Sequence, residues 1–232
     1  MFYYYGGKAS AAPKYPAPQF DTVIEPFAGA AGYSCYWATQ NPDLRFVLIE
    51  KDARVADTWR MLLSDAKLAP LPDVGEKTTD FLMMTTAASN ATARSKRMTV
   101  TTRMGTMLRT QQRRLTRLRR AMRGRTTIIS GDYTEAPPVE ATWFVDPPYQ
   151  LQATATKTVY PRGMGYAAGC DAMSMDYTAL GQWCRERVGQ TIVCEMPGAT
   201  WLPFEPFYSA TDTLGQQITE LAWLSGPQGR LF

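Results

Sequence analysis

Residues 22–32 read Thr22-Val23-Ile24-Glu25-Pro26-Phe27-Ala28-Gly29-Ala30-Ala31-Gly32. The short run Thr22-Val23-Ile24 predicts a buried strand, and the residues from Tyr33 to Thr39 can form a helix. A strand, a Gly/Ala-rich turn and a helix together make the opening unit of an α/β sheet.

The alternation continues outward from that unit. Phe46-Val47-Leu48-Ile49 is a second buried strand ending in Glu50-Lys51-Asp52, and helix signals run from Ala53 to Leu63. Pro70, Pro72 and Gly75 then break the pattern, and the Met/Thr/Ala-rich stretch 78–102 has no clear periodicity. A helix is expected from Arg103 to Arg123. Met104, Leu108, Gln111, Leu115, Leu118 and Met122 repeat there at a 4-3 spacing, and all but Gln111 are apolar. Gly124 would stop that helix. Further strands are expected at Thr127–Ile129, Thr142–Val145, Thr191–Cys194 and Ile218–Leu224. A helix capped by Ser174 should run to Val188 and stop at Gly189. The stretch through Pro18 should be irregular. These expectations describe one mostly parallel sheet with helices on both faces.

The totals narrow the chemistry. The 232 residues suffice for one α/β domain plus a modest insertion. No histidine occurs, so Ser-His-Asp and Cys-His catalysis are excluded. The cysteines Cys35, Cys170, Cys184 and Cys194 form no CxxC pair, so no metal site is expected. No run of ~18 apolar residues suggests a membrane span, and Met1–Ser10 lacks a secretory pattern. A cytoplasmic location is expected. The net charge of +4 is unevenly spread. Between Arg94 and Arg125 lie twelve Lys or Arg and no acid, which leaves 13 bases against all 21 acids elsewhere. A basic block on an acidic remainder is the footprint of a polyanion partner.

In open α/β sheets ligands bind beyond the carboxyl ends of the strands. Four clusters should sit there: Glu25–Gly32, Glu50–Asp52, Asp132-Tyr133 and Asp146-Pro147-Pro148-Tyr149. Small residues at Gly29–Gly32 let backbone approach a ligand closely. Glu50 can accept both hydroxyls of a ribose, which suits a dinucleotide or S-adenosylmethionine equally. The 146–149 cluster is the more specific signal. Two prolines stiffen the backbone and delete two N–H donors, so acceptors dominate. Such a wall suits an amino group, which brings two donors, and Tyr149 offers a ring for a planar base.

These residues resemble the Dam-type DNA adenine-N6 methyltransferases. Tyr3-Tyr4-Tyr5-Gly6-Gly7-Lys8 is similar to that family's aromatic-GGK element, Glu25–Gly32 to its EPFxGxG cofactor loop, and Asp146–Tyr149 to its DPPY motif. The resemblance covers residues 1–56 and 126–232, and implies a methyltransferase core of Rossmann-like type with an antiparallel C-terminal strand. It implies S-adenosyl-L-methionine as cofactor. Tyr4 and Lys8 would contact it, Glu25 would belong to its binding loop, Phe27 and Gly29 would pass close to its methionine portion, Glu50 would bind its ribose, and Asp132 with Tyr133 would hold its adenine. Asp146 and Pro147, backed by Pro148, would grip the target amine while Tyr149 stacks on the base. Ala31 stands where the family's second loop glycine usually sits, Glu50 replaces a more usual Asp, and Tyr133 a more usual Phe.

The implied reaction is in-line methyl transfer to adenine N6 in double-stranded DNA, with the base flipped out of the duplex. Residues 57–125 would be an inserted helical target-recognition region, with Arg109, Arg113, Arg114, Arg117 and Arg120 on DNA. A monomer or weak dimer is expected, with or without a companion restriction endonuclease. Cytosine-N4 or RNA-adenine methylation, and an inactive nucleic-acid-binding relative, are the alternatives. A glutamine methyltransferase is disfavoured, because those enzymes usually begin the motif with Asn.

Overall fold

The structure is a computed structural model that describes residues 8–65, 77–78, 98–99, 102–150, 174–211 and 217–226. Its centre is a seven-stranded sheet ordered β5-β2-β1-β6-β7-β9-β8. The strands are β1 (Thr22–Glu25), β2 (Arg45–Glu50), β5 (Thr126–Ser130), β6 (Ala141–Val145), β7 (Gly189–Glu195), β8 (Glu205–Thr211) and β9 (Gln217–Ser225). Strands β5, β2, β1, β6 and β7 are mutually parallel, whereas β9 runs antiparallel to both β7 and β8. The α/β class and the antiparallel C-terminal strand therefore match the expectation, and the architecture is compatible with a Rossmann-like fold. A separate two-stranded ribbon pairs β3 (Lys77–Thr78) with β4 (Met98–Thr99).

Both faces of the sheet are covered, which is why β6 is buried at all five positions. Alternate side chains feed two cores. Val23, Phe46, Leu48, Phe144 and Ile192 point to the face packed by α1 (Gly32–Gln40), α2 (Ala53–Leu63) and α3 (Thr102–Met122). Ile24, Ile49, Trp143, Val145 and Val193 point to the other face, where α4 (Tyr177–Arg185) contributes Leu180 and Cys184. Described cysteines Cys35, Cys184 and Cys194 are free and buried. Among the described residues no helix is long and apolar enough to cross a membrane, and no His/Cys/Asp/Glu group could hold a metal.

Three expectations need correction. The helix read as Ser174–Val188 is shorter: Asp176 caps it by accepting from Ala179 N, and it ends at Arg185. Gly189 is not its terminator but the first residue of β7, at φ 106°, where an added Cβ would lie 2.2 Å from the Ala141 carbonyl oxygen. Strand β8 went unread because Pro206 lies inside it, and proline is tolerated where β8 sits, at the sheet edge.

The boundary expected at residue 57 falls inside α2, whose Trp59 and Leu62 are fully buried in the sheet's own core. At the far end of the expected insertion, Leu115, Leu118 and Met122 of α3 join that same core. Both ends of 57–125 therefore belong to the helical layer on the sheet.

Candidate active site

Strand order reverses between β1 and β6, since β1 leads outward to β2 and β6 leads the other way to β7. This is the switch point at which open α/β sheets bind ligands. The two strands pair only at Val23–Thr142 and Ile24–Trp143, and the topology places the expected crevice between the turn after β1 and the turn after β6. The Glu25–Gly32 loop and the Asp146–Tyr149 motif flank it on the same edge.

The loop after β1 is fixed by buried groups. Glu25 accepts from Ser34 N at 2.6 Å, and burial pushes its carboxyl up to about 8 despite that bond. Gly29 (φ 47°) and Ala31 (φ 46°, ψ 54°) are both left-handed, so a non-glycine residue carries a strained conformation at the N-cap of α1. Gly29 N donates to Glu50 Oε2 at 2.8 Å, and its carbonyl accepts from Trp59 Nε1 at 2.8 Å. Glu50 Oε1 accepts from Asp52 N, so this carboxylate ties the loop to the end of β2; burial raises it to about 7.

Gly32 has a different reason. A Cβ there would lie 2.6–2.9 Å from backbone atoms of Lys8 and Ala9. The segment carrying Lys8 is thus pressed directly onto the cofactor-type loop. From there Lys8 Nζ reaches Asp146 Oδ1 at 2.8 Å and Glu220 Oε1 at 3.6 Å, and it sits 4.9 Å from the Tyr149 ring centre. Burial works against the ammonium, but Asp146 and Glu220 outweigh it and hold the Lys8 pKa above its ordinary value. Burial pushes the Asp146 carboxyl up, against the pull of Lys8.

The wall after β6 is braced from behind. Tyr177 Oη donates to the Pro148 carbonyl at 2.7 Å. Gln150 N donates to Glu195, which also accepts from Met196 N and Trp201 Nε1; burial raises Glu195 to about 7. The Pro148 carbonyl and the Gln150 amide are therefore both engaged by neighbouring side chains.

Asp132 caps the turn Tyr133–Glu135 and pairs with Lys51 at 3.2 Å. Tyr133 stacks on Phe27 with ring centres 5.4 Å apart. The two rings are already in contact, so a planar base would lie against this pair rather than between its members. Tyr4 lies outside the described residues. Arg109 is placed only as a backbone position on α3, while Arg113, Arg114, Arg117 and Arg120 are exposed on that helix.

Two residues of this region were not anticipated. Glu220 on β9 accepts from Tyr149 Oη at 3.1 Å, from Tyr208 Oη at 3.0 Å and from Tyr15 Oη. Glu195 closes β7 as Glu50 closes β2. An acid at a strand's carboxyl end was a usable signal for Glu195. Glu220, in the middle of an antiparallel strand, offered none.

Comparison of the sequence with known protein families and with curated proteins gives no match.

Proposed function

We propose that this chain is an S-adenosylmethionine-dependent DNA methyltransferase acting on adenine N6. One observation carries the reading: Lys8, the Gly29–Gly32 turn and Asp146–Tyr149 converge at the switch point, though they come from three separate parts of the chain. That is the placement a methyl donor and an amine acceptor need to meet.

The residues fit such a donor. A left-handed Gly29 admits close backbone approach, Glu50 keeps acceptor capacity for ribose hydroxyls, and the Phe27–Tyr133 pair offers an apolar wall for adenine. The bound donor would supply an electrophilic methyl group on a sulfonium. Asp146 and the Pro147 carbonyl accept the two N–H bonds of the target amine and orient its lone pair toward the turn after β1. The Lys8 ammonium favours the ionised form of Asp146 against the effect of burial and fixes its rotamer through the 2.8 Å contact. Glu220 holds the Tyr149 ring by its hydroxyl, so the base meets a preset stacking surface.

Duplex DNA is the proposed partner, held in part by the bases between Arg94 and Arg125. The test is transfer of a labelled methyl group from the cofactor to separate DNA and RNA pools, followed by identification of the modified base. Label in N6-methyladenine of DNA is expected. Asp146→Ala should lower the rate at least ~10³-fold, the scale of losing one preorganised polar group, measured at a temperature where its melting curve shows the variant still folded. A fully active Asp146→Ala protein would defeat the reading.

A further inference from the structure

The described arginine side chains of α3 and of the turn after it fall into two sets with different duties. Arg119 donates to the Ser64 carbonyl, Arg123 pairs with Asp65, and Arg125 donates to the carbonyls of Ala38, Asn41, Pro42, Leu44 and Ala121. These three are occupied with holding helix ends together. Arg113, Arg114, Arg117 and Arg120 are exposed and make no ion pair among the described residues. Arg113, Arg117 and Arg120 line one groove of about 610 Å³ with Thr39, Pro42 and Arg125, and no carboxylate lines it. Asp43, which follows Pro42, lies outside the lining.

The position of that groove is set by topology. Helix α1 starts at the carboxyl end of β1 and finishes at Gln40, just before β2 begins at Arg45. Helix α3 likewise descends to Met122, just before β5 begins at Thr126. Thr39, Pro42, Arg120 and Arg125 therefore lie at the amino end of the strands, opposite the edge that carries Asp146. Helix α3 has 21 residues, ~30 Å, whereas a five-residue strand such as β5 spans ~17 Å. So α3 runs the height of the sheet and beyond, and Arg109, Arg113, Arg117 and Arg120 recur along it at helical spacing. At the C-terminal end of α1, Arg125 donates to the carbonyl of Ala38 and to those of Asn41 and Pro42 just beyond the helix, which offsets their negative charge toward the groove.

From this we infer that the groove of Arg113, Arg117 and Arg120 is a second DNA contact, binding phosphates of the duplex flanking the target. The flank follows α3 away from the catalytic edge toward the amino end of the sheet. The three side chains span ~10 Å along the helix, a length over which one DNA strand presents about three to four phosphates. These arginines position the duplex and do not read the target base. The choice of DNA as partner rests on the function proposed above.

The experiment compares the full chain with a variant carrying Arg113→Gln, Arg117→Gln and Arg120→Gln, by anisotropy of labelled 30-base-pair DNA across a salt series. The expected result is weaker binding and a log–log salt slope shallower by about 2–3, since each phosphate contact contributes ~0.9. Asp146→Ala should keep the unmodified slope, and an Arg60→Gln/Arg185→Gln control should move it by less than half as much. A cooperative melting transition well above the assay temperature shows that each variant folds. An unchanged slope in the triple variant, an equal loss in the control, or a loss seen with duplex RNA alone would overturn the groove. A shallower slope in a chain that transfers no methyl group would leave the groove standing and remove the methyltransferase reading instead.

Discussion

The carboxyl edge and the flank of α3 handle charge in opposite ways. At the edge, Lys8, Asp146 and Glu220 are largely withdrawn from water and locked to one another, with three tyrosine hydroxyls filling the remaining valences. On the flank, Arg113, Arg114, Arg117 and Arg120 stand in solvent with no ion pair among the described residues. Buried charges need partners to exist at all, so each fixes its neighbours' positions. Exposed charges need none and act through their summed field on a distant polyanion. The contrast separates a region built for geometry from one built for attraction.

Substitutions can break that contrast, and the largest effect is expected at Lys8. Lys8→Met strands two buried carboxylates, so denaturant titration should show a loss of about 3–5 kcal/mol. A loss below ~1 kcal/mol would mean that the edge charges are as independent as those on the flank. Gly32→Ala comes next. Its methyl must displace backbone at Lys8 and Ala9, and overpacking of this kind removes about 1–3 kcal/mol. On the function proposed above, methyl transfer should fall with it, because Lys8 is carried off Asp146. Wild-type activity in a stable Gly32→Ala protein would uncouple the two loops.

The pH dependence sharpens the comparison. The carboxyl of Glu25 sits at about 8 in the folded chain, and Glu50 and Glu195 at about 7, all above the ordinary 4.5. The folded state therefore holds protons that the unfolded chain has released. Stability contributed by these groups is complete below about pH 4.5 and declines as pH rises through 7 to 8. Glu25→Gln should flatten the decline, gaining at least ~1.4 kcal/mol on the wild type between pH 5 and 9, the value of one pKa unit. Parallel stability curves for the two proteins would contradict it. The smallest change is expected from Arg114→Gln, within ~0.5 kcal/mol by thermal melting. A larger loss would show that Arg114 shares in holding the fold.

Much of this was legible in the chain because its strands are covered on both faces. Thr22–Ile24, Phe46–Ile49 and Thr142–Val145 read as unbroken apolar runs, and each is a strand with its chemistry at the end. The period of Leu115, Leu118 and Met122 likewise announced the buried face of α3. What escaped depends on long-range packing. Ala31 gives no hint of its left-handed backbone, which α1 and the Glu50 tether impose. Glu220 looks like any strand acid until Tyr15, Tyr149 and Tyr208 arrive from three other segments. Nor does a run of arginines reveal which of them cap helices and which face water.

The ladder between β1 and β6 has two register pairs, whereas every other neighbouring pair in the large sheet has at least four. Half of the sheet thus hangs on the other by its weakest seam, directly beneath the crevice. A molecule lodged across that seam is a keystone, in contact with both halves at once. Occupancy and mechanical integrity are then linked, and the midpoint of unfolding should climb with the logarithm of ligand concentration.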